Sequence, residues 1–198
     1  METDFMEDLL KNNEEYLEET CSVCGKRLTQ YGNKQLKDGI LCRYCAALSS
    51  PFLREEDFAE KTVEDMKKHL QYRGENMKKL ETFNKTRSVE GRYNLYIDED
   101  AKELMFSKRR DLKKENPDLI PFADIREMSI IEQQYLEEDG VDLFFEMDLD
   151  HEELKKIRFR INEFPGINSK TVEYEKTCEI AAAYIETIAA VADMEEVL

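Results

Sequence analysis

Cys21, Cys24, Cys42 and Cys45 form two Cys-x-x-Cys pairs separated by 17 residues. A two-residue gap lets both thiolates of a pair face one ion at about 2.3 Å, and two such pairs complete the tetrahedron that Zn²⁺ accepts. The chemistry predicted is therefore a structural Zn²⁺ site, one per chain, with iron in the same cage as the alternative. Four protein ligands fill the coordination sphere and leave no position for a catalytic water. Gly25 follows Cys24 where a knuckle needs a positive φ, and Asp38-Gly39 signals a tight turn just before Cys42. The run Ala46-Ala47-Leu48 after Cys45 leaves two forms open: a second pair that opens a short helix, as in a treble clef, or a zinc ribbon of two knuckles. A disulfide framework is disfavoured in a chain without secretory features. A redox pair would need one Cys-x-x-Cys in an α/β setting. Cys178 falls in a helical pattern and reads as a small buried hydrophobe.

Other catalytic chemistry is hard to find. No phosphate-binding loop, dinucleotide fingerprint, nucleophile elbow or His-Glu-x-x-His occurs, and the seven glycines each stand alone. His69, on a predicted helix, and His151, in an acidic turn, both read as exposed polar residues. The pairs Asp98/Asp100 and Asp148/Asp150 fall at predicted turns, where aspartate bonds locally to the backbone. The chain is thus read as no enzyme. Candidate contact residues are the bases Lys108, Arg109, Arg110, Lys113 and Lys114, which would suit an anion or a partner. Tyr31, Tyr44, Arg27 and Arg43 make a minimal face for nucleic acid.

These residues need a scaffold, and 198 residues suffice for one or two domains. With 29 basic and 45 acidic residues the net charge is −16, which repels nucleic acid and anionic membranes alike. The longest apolar run, Ile180 to Ile185, is far too short to cross a bilayer, and the N-terminus lacks a signal-peptide pattern. A cytoplasmic location is the expectation. Four segments follow along the chain. Residues 1–20 carry eight acids and one base, with apolar residues at roughly helical intervals, as an amphipathic helix or an acidic tail. Residues 21–50 form the zinc-binding module, which is mildly basic. Residues 51–82 form a helical connector, capped at Thr62 and interrupted near Gly74. Residues 83–198 form a β-rich domain.

In that last segment Tyr93, Leu95 and Ile97 alternate up to the turn Asp98-Glu99-Asp100, and Leu104 to Phe106 returns as a hairpin. Ile120–Ile125 and Met128–Gln133 read as strands, with Pro121 placing the first near an edge or a bend. Val141, Leu143, Phe145 and Met147 make one apolar face and Ile157, Phe159 and Ile161 another, with Arg158, Arg160 and Asn162 directed away. A helix from Ser169 or Thr171 to about Met194 follows, with Cys178, Ala181, Ile185, Ile188 and Ala192 on one stripe. The fold class is α+β: a small Cys₄ module, a helical connector, and an antiparallel barrel of six or seven strands capped by a C-terminal helix.

The signature Cys21-Ser-Val-Cys24-Gly-Lys, Leu36-Lys-Asp-Gly39, Cys42-Arg-Tyr-Cys45 and Thr62-Val-Glu-Asp resembles an uncharacterised bacterial family. In that family a four-cysteine zinc module precedes a domain like the pleckstrin-homology (PH) or GRAM fold. Leu119-Ile-Pro-Phe-Ala-Asp-Ile125 is similar to the central strand region of such domains. The resemblance implies four zinc ligands, a PH-like second half and no catalytic residue. The functional expectation is a non-enzymatic zinc-binding adaptor for a protein or peptide partner. Nucleic-acid binding through the zinc module and lipid binding through the PH-like domain are the alternatives, both opposed by charge; the sequence leaves the oligomeric state open.

Overall fold

The structure is a computed structural model that describes residues 20–108, 111–135 and 140–192. The acidic segment 1–20 therefore lies, apart from Thr20, outside the described residues, as do Arg109 and Arg110. The chain divides into two units, Met1–Gly74 and Glu75–Leu198.

Turn chemistry dominates the first unit. Strands β1 (Lys34–Gln35) and β2 (Ile40–Leu41) pair antiparallel across the Asp38-Gly39 turn. The Leu36 N–H donates to the Gly39 carbonyl at 2.8 Å. Helices α1 (Arg43–Leu48), α2 (Glu55–Glu60) and α3 (Val63–Lys79) follow. At the start of α3 the Asp65 N–H donates to Thr62 Oγ1 (3.1 Å), and Asp65 Oδ2 accepts from the Thr62 N–H (2.9 Å). This reciprocal box satisfies two of the helix's orphan donors. Helix α3 runs unbroken through Gly74, contrary to the expected interruption. One glycine costs only about 1 kcal/mol against alanine in a helix, and the capped, 17-residue helix carries it. Much of the segment read as a connector packs with the cysteines. Phe58 and Met66 share their buried cluster, and Leu70 rests against it.

Among the described residues the second unit holds eight strands, against the six or seven expected. Strands β3 (Arg87–Val89), β4 (Asn94–Asp98), β5 (Glu103–Ser107) and β6 (Ile120–Pro121) form one antiparallel sheet in that order. The second sheet is built on β8 (Gly140–Leu149). Strand β7 (Ile125–Gln134) lines one edge of β8, and β9 (Lys156–Arg160) and β10 (Ile167–Asn168) share the other. Among the described residues no hydrogen-bonded pairing joins the two sheets, so the expected closed barrel is not formed. The reason lies at Pro121, which has no N–H to donate and sits at φ −61°, capping the 3₁₀ turn Phe122–Asp124. The single strand expected over Ile120–Ile125 is broken there, and the chain leaves one sheet to begin the other.

Both sheets and helix α5 (Val172–Val191) contribute to one aromatic core. Phe106 from β5 lies 5.0 Å from Phe145 of β8 and 4.9 Å from Phe159 of β9, ring centre to ring centre. The Tyr184 ring meets Phe145 edge-on at 5.7 Å, and its hydroxyl donates to the Tyr93 carbonyl. Gly91 makes room for that hydroxyl, because a Cβ there would stand 2.2 Å from it. Thr171 caps α5, whose fully buried stripe is Thr177, Ala181, Tyr184 and Ile188. Of the expected stripe, Ala181 and Ile188 are buried, whereas Cys178, Ile185 and Ala192 are half-buried, so Cys178 is not the buried hydrophobe anticipated. No helix among the described residues is long and apolar enough to cross a membrane.

The inward faces of β8 and β9 follow the alternation, but their other side is not simply solvated. Asn162, expected to point outward, is only 1% exposed, as is Asp142. Asn162 Oδ1 accepts from the Leu143 N–H (2.9 Å), and its amide donates to Asp142 Oδ1 (2.8 Å). Asp142 also accepts from the Tyr135 hydroxyl (2.7 Å) and the Gly166 N–H (2.8 Å). Burial alone would raise the Asp142 pKa. Hydrogen bonds from Asn162, Tyr135 and Gly166 and the Arg160 charge outweigh it and hold the carboxyl below its ordinary value.

Two outcomes follow. Asn162→Ala leaves the buried Leu143 N–H unpaired, so denaturant unfolding should show a loss of about 1–3 kcal/mol. Because the Asp142 pKa is lowered on folding, its stabilisation is complete above the unfolded carboxylate value near 4 and fades as pH falls below it. Asp142→Asn should therefore flatten the acid limb of the stability–pH curve while lowering the neutral plateau.

Candidate metal centre

The first cysteine pair sits on a knuckle closed by backbone bonds. The Cys21 N–H donates to the Lys26 carbonyl and the Gly25 N–H to the Cys21 carbonyl, both at 2.8 Å, and Gly25 takes φ +70°. The second pair opens α1, settling the element order as knuckle, hairpin, helix instead of two knuckles. Cys42 is the N-cap of α1, its sulfur accepting from the Cys45 N–H at 3.5 Å. The Cys42 N–H in turn donates to Cys21 Sγ at 3.3 Å.

The four sulfurs all lie within 4.8 Å of one another, and Cys24 Sγ is 3.7 Å from Cys42 Sγ. Tetrahedral thiolates at about 2.3 Å from an ion would be about 3.8 Å apart, so the cluster fits a closed four-sulfur site. Cys21, Cys42 and Cys45 are buried and Cys24 is exposed. Electrostatics point the same way. Burial opposes ionisation of Cys21, but N–H groups of Cys24, Cys42 and Val23 aimed at its sulfur bring the pKa down to about 6. Cys45 is driven far upward by burial and by the sulfurs of Cys24, Cys42 and Cys21 beside it. One thiol is ready to ionise and the last one resists. A bound dication removes that conflict, since its charge stabilises all four thiolates together.

A supporting set of bonds holds the two pairs in register. The Ser22 N–H donates to the Ile40 carbonyl (2.9 Å) and the Ile40 N–H to Ser22 Oγ (3.0 Å), tying knuckle to hairpin. Gly39 passes so close that a Cβ would stand 2.5 Å from Ser22 Oγ and 2.7 Å from Val63 Cγ2. Asp38 Oδ1 accepts from the Val63 N–H at 2.7 Å, which docks the hairpin turn on the first turn of α3. The far end of α1 is fixed by α3 as well. His69 Nε2 accepts from the Ser50 N–H (3.1 Å), and the Arg73 guanidinium donates to the Leu48 carbonyl (3.2 Å). His69 is thus fully buried, against the expectation of an exposed side chain. Neither it nor Arg73 could be assigned from spacing alone, since both depend on how α3 folds back on α1.

The remaining candidates are dispersed. His151 is half-buried, its Nδ1 accepting from the Glu153 and Leu154 N–H groups at 3.2 Å each, which makes it a turn cap and not an exposed side chain. Asp98 accepts from the N–H groups of Ala101 (2.9 Å) and Asn84 (2.7 Å), as a turn aspartate should. Lys156 pairs with Asp148 at 3.1 Å, and Arg126 pairs with Asp150. Lys108 lies with its ammonium 4.6 Å from the Tyr93 ring centre, and its N–H donates to Glu115. Lys113 and Lys114 sit on the short helix α4 (Leu112–Glu115), capped by Asp111, which also pairs with Lys114 at 3.4 Å. Tyr31 and Tyr44 are exposed by 75% and 55%. The Arg43 guanidinium stacks 5.1 Å from the Tyr44 ring centre.

Metal analysis of protein purified under reducing conditions should return one zinc per chain, and Cys24→Ser should abolish it. Because metal binding is folding energy for so small a core, that variant should lose hydrogen-exchange protection in the first unit while the second unit keeps its own. Gly39→Ala should weaken metal retention against a chelator more than Gly25→Ala. The first forces Ser22 and Val63 apart, at about 1–3 kcal/mol, whereas the second adds only left-handed strain of about 1–2 kcal/mol with open space around the new methyl.

Residues 19–69 match the model of a family described as a domain of unknown function, DUF4428. That stretch covers the four cysteines, the Leu36–Gly39 turn, the α3 cap and His69. No curated protein and no solved structure matches the chain.

Proposed function

We propose that this protein is a non-enzymatic, zinc-stabilised adaptor that binds a protein or peptide partner. The observation that carries the reading is the closed four-cysteine cluster, three of whose sulfur-bearing side chains are buried. Such a centre organises a surface and offers no open coordination position for chemistry. Zinc is the ion proposed; a tetrahedral four-thiolate cage also suits iron, and metal analysis distinguishes the two.

The second half is read as PH-like. Among the described residues, eight strands in two antiparallel sheets followed by a long helix support that reading, although no strand pairing joins the sheets. Lipid recognition is the weaker role for it. Lys108 is engaged with Tyr93 and Glu115, Lys114 with Asp111, and the chain carries −16 overall. The same charge opposes nucleic acid, despite Tyr31, Tyr44 and Arg43.

The deciding experiment compares three ligand classes on one zinc-loaded preparation. A stoichiometric protein partner, captured by crosslinking in the native host and re-formed from purified components, is the expected outcome. Sedimentation with phosphoinositide vesicles at physiological salt, lost when Lys108, Arg109 and Arg110 become alanine, would overturn the reading in favour of a membrane role. Salt-sensitive binding to single-stranded nucleic acid, lost in Tyr44→Ala, would overturn it the other way.

A further inference from the structure

Strand β7 ends its sheet, so one of its edges carries backbone N–H and C=O groups that no described strand pairs. From Glu127 to Gln134 it holds regular register with β8 and contains neither proline nor lysine, the residues that commonly blunt an edge. Helix α5 covers the same sheet face incompletely. On β8 the side chains of Leu143, Phe145 and Met147 are buried; across from them on β7, Met128 is buried, Ile130 half-buried and Glu132 exposed. The gap between β7 and α5 is a cavity of about 410 Å³. Its walls are apolar at Met128, Ile130 and Leu143 on the sheet and at Ala181, Ala182 and Ile185 on the helix.

The charged groups in that lining are Glu132 and Glu186, with no base among them. Glu132 accepts from the Gln134 amide (3.1 Å) and the Tyr174 hydroxyl (2.9 Å), bonds that hold its carboxyl below the usual range and keep it ionised. An anionic lipid or a nucleic acid would meet two carboxylates. A second copy of β7 would bring Glu127 and Glu132 against the same acids, on a partner that also carries −16. An unpaired strand edge beside an apolar groove is the arrangement by which extended peptides add a strand, backbone bonds supplying affinity and alternate side chains filling pockets.

We infer that the β7–α5 groove takes one extended peptide segment as an added strand, with apolar side chains at alternate positions and a Lys or Arg beside Glu132 and Glu186. This rests on the protein- or peptide-partner reading above and names where, and to what chemistry, that partner binds.

The test pans a random twelve-residue display library over the full zinc-loaded chain and measures the recovered synthetic peptides by fluorescence anisotropy. Peptides with alternating apolar residues and at least one base are expected. Ala182→Trp should weaken them roughly tenfold or more by filling the groove from an exposed helix position, with an unchanged melting temperature. Glu186→Lys should weaken them several-fold at low salt and less at high salt, as a partly exposed charge contact does. N-methylation of alternate peptide residues should abolish binding in one register and spare it in the other, which side-chain docking alone would not do. Peptides that bind Ala182→Trp as well as the wild-type chain would sink the groove while leaving an adaptor role intact. An empty selection, acidic peptides, or displacement by a fatty acid would sink it too. Retention of the crosslinked protein partner by Ala182→Trp separates failure of the groove from failure of the adaptor reading.

Discussion

Four sulfur atoms confined within 4.8 Å set the terms for the first unit. Its buried cluster holds seven residues, three of them cysteines, and Leu36, Leu41, Phe58 and Met66 supply the apolar part. Burying such side chains yields about 1.5–3 kcal/mol each, whereas ordering each residue's backbone costs about 1–2 kcal/mol. Hydrophobic burial cannot carry a module of this size alone. Burial first, and the neighbouring sulfurs after it, push the Cys45 thiol upward, so four thiolates together are costly without a cation. A bound cation would offset that cost, with hairpin, caps and helix starts holding the four sulfurs together for it.

The supporting bonds explain why the short sequence signatures belong together. Asp38 in the hairpin turn and Val63 at the start of α3 are 25 residues apart, yet one hydrogen bond joins them. Ser22 in the knuckle packs against Gly39 in the turn. His69 and Arg73 reach back to the end of α1, the helix that carries Cys45. A stretch ending at residue 50 would lose Phe58, Met66 and these caps together. The matched family segment extends to residue 69, in keeping with that dependence.

The second unit rests on different physics. Interlocking aromatic rings from β5, β8, β9 and α5 form its centre. A buried carboxylate is ordinarily costly, but Asp142 collects donors from Asn162, Tyr135 and Gly166 and so fixes how β8 and the segment after β9 meet. The first unit thus centres on a four-sulfur cluster suited to a metal, the second on ring packing and a buried polar network.

The sequence by itself determined what is local. Cysteine spacing named the four sulfurs that cluster, Asp38-Gly39 the hairpin, Thr62-Val-Glu-Asp the cap, and the alternation in β4, β8 and β9 the inward faces, because each is written in the spacing along the chain. Tertiary structure alone decided the rest. Pro121 bends the chain out of one sheet and into another, so periodicity on either side could suggest a barrel that the hydrogen bonds do not close. Gly74 stays helical despite its propensity, His69 is buried by a helix that folds back, and Asn162 turns inward toward an aspartate 20 residues away. The β7–α5 groove was invisible for the same reason: it exists only where a helix leaves part of a sheet edge uncovered, and no single segment encodes a gap between two.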